Sequence, residues 1–147
     1  MSLKEQLSLD MKEAMKAKQA ERLSTIRQLR SAIKNKEIEQ RKELDDDGVI
    51  SVIGTLVKQR REAAQMYSDN DRPELAAKEE TELQVLQHYL PAQLSEEEIS
   101  EIVSQVISEI GATSMKEMGK VMPQVMARTK GAAEGKIVNQ IVREQLS

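Results

Sequence analysis

Three short runs near the C-terminal end alternate glycine, cation and apolar residue: Gly119-Lys120-Val121-Met122, then Met126-Ala127-Arg128-Thr129-Lys130-Gly131, then Gly135-Lys136-Ile137-Val138-Asn139. Glycine lets a backbone approach a ligand closely, and a helix start near Glu134–Lys136 offers unpaired N–H groups to an anion. The chemistry these residues suit is anion binding. Gly119-Lys120 is not a nucleotide-binding phosphate loop, because the upstream glycine is absent and Val121 follows where Ser or Thr is needed. A second set of cations, Arg27, Arg30, Lys34 and Arg41, recurs at intervals of three, four and seven, which predicts one solvent-facing helical stripe with few compensating acids.

Other constellations point to structure. Asp69-Asn70-Asp71 begins like a calcium loop, but Glu74 and Glu80 stand where the loop needs Gly and Glu at its sixth and twelfth positions, so a turn followed by a helix cap is expected. His88 is the only histidine and has no recognisable ligand or triad neighbour; it reads as a partly exposed packing residue. Lys58, Arg60 and Arg61 suit either phosphate or, across two antiparallel helices, Glu79, Glu80 and Glu82. Met115, Met118, Met122 and Met126 read most simply as core filler, with a Met-lined groove for a partner as the alternative.

The elements that must carry these residues are all helical. Apolar residues recur at helical spacing at Leu3, Leu7, Met11, Ala14 and Met15, and again at Leu23, Ile26, Leu29 and Ile33. Asp45-Asp46-Asp47-Gly48 reads as the stop of the second helix, since acids disfavour a helix C-terminus. Val49, Ile53, Leu56, Arg60, Ala63 and Tyr67 mark a third helix. Asp71 with Glu74, and Pro73 between them, predicts a capped start for a fourth that runs to Leu90, where Pro91 ends it. Ser95 with Glu98 caps a fifth helix that Gly111 stops, and Ser114 with Glu117 predicts a capped sixth that Pro123 should bend or divide. A turn from Arg128 to Gly135 leads to a last short helix containing Ile137, Val138, Ile141, Val142 and Leu146. The expected fold is all-α, with a four-helix module over residues 1–91 and a small three-helix module over residues 92–147.

Composition narrows the function. The 147 residues include no cysteine, one histidine, no Phe or Trp and two tyrosines, Tyr67 and Tyr89. Thiolate sites, disulfides and multi-histidine zinc sites are excluded, and neither a catalytic centre nor a cofactor or metal is expected. No segment approaches the length of a membrane span and the N-terminus has no apolar leader, so no membrane partner and a cytoplasmic location are expected by default. Net charge is −3, yet residues 12–42 hold ten cations against four acids and residues 111–147 six against three. Two basic zones thus sit in an acidic molecule.

The quoted C-terminal motif resembles the tail of GatB, a subunit of glutamine-dependent tRNA amidotransferase. The whole chain resembles the free-standing YqeY type of the same GatB/YqeY family. Lys58-Gln59-Arg60-Arg61-Glu62-Ala63, Tyr67, Arg72, Leu75-Ala76, Glu79-Glu80 and Glu82-Leu83 carry the likeness in the first module, and Tyr89-Leu90-Pro91-Ala92-Gln93-Leu94-Ser95 carries it at the junction. In GatB-type proteins the tail contacts the outer corner of tRNA while the chemistry belongs to other domains. The resemblance therefore implies a non-catalytic tRNA-binding accessory protein, with Lys120, Arg128, Lys130, Lys136 and Arg143 as RNA contacts and Arg27, Arg30, Lys34 and Arg41 as a second contact. A helical protein–protein adaptor and an amidotransferase-related accessory subunit remain as alternatives.

Overall fold

A computed structural model describes residues 1–147. It contains seven α-helices and no strand, and the chain divides into two compact units, Met1–Leu90 and Pro91–Ser147. The first holds α1 (Leu3–Lys16), α2 (Ala20–Gln40), α3 (Asp46–Asp69) and α4 (Pro73–Gln87). The second holds α5 (Glu96–Ile110), one turn of 3-10 helix (Met115–Glu117), α6 (Met118–Thr129) and α7 (Gly135–Leu146).

Each unit has its own core. Leu7, Ile26, Leu29, Ile33, Val49, Ile53, Val57, Leu83, Leu86 and Tyr89 are buried together in the first. Ile99, Val103, Val106, Val121, Val125, Val138, Ile141, Val142 and Leu146 are buried together in the second. At about 1.5–3 kcal/mol for each large aliphatic side chain removed from water, these clusters are the main favourable term in either unit. Without Phe or Trp, β-branched and leucine side chains fill the interior, and in the second unit Met118, Met122 and Met126 close its edge.

Several local expectations are corrected. The Asp45–Gly48 run starts α3 and does not end α2: Asp45 accepts a bond from the Gly48 N–H at 2.8 Å, and Asp46 and Asp47 occupy the first turn, where carboxylates face the positive end of the helix dipole. Helix α2 stops earlier, at Gln40, with Arg41 left-handed at φ 55°. Asp71 does not cap α4. Pro73 takes the first helical position, which makes Arg72 the N-cap, and Asp71 turns left-handed at φ 57° one residue too early to reach the helix. Helix α4 ends at Gln87, before Leu90.

Ser95 and Glu98 form the full capping box, and Gly111 ends α5 at φ 75°. Ser114 and Glu117 form none: the Glu117 carboxylate reaches back to the Thr113 N–H at 3.0 Å, and a 3-10 turn intervenes. Pro123 does not divide α6, which runs unbroken from Met118 to Thr129. The carbonyl left without a donor is that of Gly119, one turn back. Both Gly119 and Pro123 are exposed, so water can take the place of the lost donor and the helix continues.

Candidate nucleic-acid interface

In the second unit, burial of Val138, Ile141, Val142 and Leu146 turns the opposite face of α7 outward. Lys136, Gln140 and Arg143, at helical spacing of four and three, line that face and are exposed. The two cations are about 10 Å apart along the helix axis. Lys120 is exposed on α6 beside buried Val121, and neither it, Lys136 nor Arg143 has a carboxylate in ion-pair reach. Arg128 differs: its guanidinium lies against the Glu109 carboxylate of α5. Lys130 follows α6 as its C-cap and is exposed. Arg128 and Thr129 belong to α6, so the turn between the last two helices spans residues 130–134 and is shorter than the sequence suggests.

That turn is tied inward. The Gly131 carbonyl accepts from the Gln93 side chain at 2.9 Å, and the Ala132 carbonyl accepts from the Leu94 N–H at 2.8 Å. Gly131, at φ 78°, occupies a backbone region that favours glycine. Gly119 and Gly135 do not share that constraint: a methyl group on Gly119 would meet open space, and one on Gly135 would touch the Met126 Cε at an ordinary 3.8 Å. Packing within the chain thus does not require glycine at either position.

In the first unit, Ile26, Leu29 and Ile33 bury one face of α2 and leave Arg27, Arg30 and Lys34 exposed. Arg41 lies beyond the helix end, so the expected four-residue helical stripe is three residues on α2 plus its cap. Arg27 and Arg41 make no ion pair, the Lys34 charge acts on Glu37 without a direct bond, and the Arg30 guanidinium donates to the Met11 sulfur at 3.0 Å. Nearby acids are already engaged: Glu37 with Lys4 and the Leu44 N–H, and Glu13 with Arg22 at 3.8 Å. These contacts, the Lys4 bond first, hold the Glu37 carboxyl below its ordinary range.

Arg60 is structural. From α3 it reaches Glu79 at 3.5 Å and Glu82 at 3.3 Å on α4, and also the Gln28 side chain on α2. Its Nε lies near Glu82 without the alignment of a hydrogen bond, so charge attraction carries that contact. The Asp69–Asp71 run is a turn: Asp69 accepts from Gln65 at 2.8 Å, and Asn70 donates to the Met66 carbonyl at 2.7 Å. No group of three or more acids and histidines is placed to hold a metal ion. His88 is exposed and meets the Tyr89 ring edge-on at 5.3 Å.

One cluster escaped the sequence reading. Asp10, only 5% exposed, accepts from the Tyr89 hydroxyl at 2.5 Å and from Gln6 at 2.8 Å, with Arg22 at 3.9 Å. Burial, and then the bond to Asp10, pushes the Tyr89 hydroxyl well above the ordinary tyrosine range. Asp10 sits three residues after Leu7 and four before Ala14, on the buried face of α1; a carboxylate at that spacing was the available signal.

A family model described as Yqey-like protein matches residues 4–146. Curated relatives include proteins named "Altered inheritance of mitochondria protein 41, mitochondrial". That of Eremothecium gossypii is 42% identical over 87 residues, which is 58% of this chain and 48% of the relative. That of Vanderwaltozyma polyspora is 33% identical over 144 residues, 92% of this chain and 78% of the relative. That of Kluyveromyces lactis is 38% identical over 101 residues, 66% and 55% respectively. The chain thus spans about half the length of two of the three. These names overturn the cytoplasmic expectation, because the relatives are mitochondrial proteins. The physical reason is plain: the lack of an apolar span says what a chain cannot cross and nothing about its compartment.

Proposed function

The chain belongs to the Yqey-like protein family, and on that footing we propose that it is a non-catalytic accessory protein that binds folded tRNA through the phosphate backbone. The RNA in this reading comes from the resemblance of the last third of the sequence to the tail of the GatB amidotransferase subunit. The observation that carries the reading is the set of exposed cations, Lys120, Lys136 and Arg143, that no carboxylate neutralises. A surface charge left unspent within the fold costs little to keep and becomes useful when a polyanion displaces its counterions. Arg128 joins when it exchanges Glu109 for phosphate; that pair is about half exposed and worth under about 1 kcal/mol, so the exchange is inexpensive. With only two tyrosines for aromatic platforms, one of them buried, stacking on single-stranded bases has little support, and folded RNA is the favoured ligand.

Filter binding of purified tRNA to the full chain tests this. Saturable binding at micromolar protein is expected at about 50 mM salt, weakening steeply towards about 200 mM. Lys136→Ala with Arg143→Ala should flatten the salt slope by about 1.5 units, whereas Glu109→Gln, which releases Arg128, should tighten binding a few-fold. No saturable binding, or a double variant that binds as the parent does, rejects the reading.

A further inference from the structure

The cations that the fold leaves unpaired are more numerous in the first unit than in the second. On α2, Arg27, Arg30 and Lys34 are exposed along one side, and Arg41 extends the line beyond the cap. From Arg27 to Arg41 this spans about 20 Å, long enough to follow several phosphates of one strand. The Arg30–Met11 contact brings a turn of α1 alongside. Of the nearby acids, Glu37 is engaged by Lys4 and the Leu44 N–H, and Glu13 lies 3.8 Å from Arg22. Beside Arg27 runs a shallow trough whose walls mix Ala20, Leu23 and Ala32 with Ser24, Ser31 and Asn35. Hydroxyl and amide groups interleaved with cations are what sugar–phosphate backbones are bonded by.

We propose that this α1–α2 face is the principal RNA-backbone site of the protein and that the C-terminal cations are the secondary one, the reverse of the order that the family resemblance implies. The inference rests on the reading that the chain binds folded RNA. It adds where the charge-driven part of that binding resides: Arg27, Arg30, Lys34 and Arg41 make a longer row of exposed cations than Lys136 and Arg143 on α7.

Salt titrations of tRNA binding by the full chain test the proposal, comparing Arg27→Gln/Arg30→Gln/Lys34→Gln with Lys136→Gln/Arg143→Gln. The first variant should lose at least about tenfold in affinity near 100 mM salt and lower the log–log slope by roughly two units, and the second should lose less on both measures. A third variant, Arg27→Lys/Arg30→Lys/Lys34→Arg, keeps the charge and should keep the slope. If it loses the slope as the glutamine variant does, the effect is not electrostatic and the proposal falls. If the parent binds tRNA and the first glutamine variant matches its affinity and slope, the proposal falls while the RNA-binding reading stands. If the parent does not bind, both fall.

Discussion

At the scale of single residues, the first unit holds a buried contact between Asp10 and Tyr89. A carboxylate inside an apolar core is tolerated because it accepts two hydrogen bonds, and losing one leaves a buried acceptor short of a partner. Tyr89→Phe should therefore lower stability by about 1–3 kcal/mol, read as a shift in denaturation midpoint with an unchanged slope. The same pair has a pH signature. The folded state holds the Tyr89 hydroxyl protonated above the ordinary tyrosine range, so its contribution is complete below the unfolded value of about 10 and is lost as pH rises beyond it. The stability difference between parent and Tyr89→Phe should be flat near neutrality and shrink above about pH 10. A difference that stayed constant to high pH would show that the hydroxyl is not held in this way.

At the scale of elements, where a helix starts depends on geometry that residue type only suggests. Asp45 and Asp71 both precede helices and both have an acid nearby in the next turn, yet only Asp45 makes the cap bond. Removing that bond with Asp45→Ala should cost about 1 kcal/mol, whereas Asp71→Gly should cost nothing and relieve a left-handed backbone. Thermal melts of the two variants read the contrast directly, and equal losses would sink it. Arg60 makes the same point for charge. Its position among Lys58 and Arg61 gives it the look of a phosphate ligand, but the packing of α3 on α4 places Glu79 and Glu82 within 3.5 Å.

For the whole molecule, two cores with no shared buried side chain imply two unfolding events. Calorimetry of the full chain should resolve into two transitions, and residues 1–90 expressed alone should melt cooperatively; a single two-state transition would show that the units depend on each other. Much of this architecture was legible beforehand. Helical spacing of Leu, Ile and Val, the Ser95–Glu98 box and Gly111 are local signals, and local signals decide secondary structure when the apolar period is strong. What sequence could not decide is which polar residues meet. Asp10 and Tyr89 are 79 positions apart, Arg128 and Glu109 are 19 apart on different helices, and both pairings follow only from how helices pack. The sequence by itself determined an all-helical chain with two basic zones. Only the tertiary structure decided which cations are already neutralised by a neighbouring carboxylate and which still face solvent, because ion pairing is set by distance across helices and not by order along the chain.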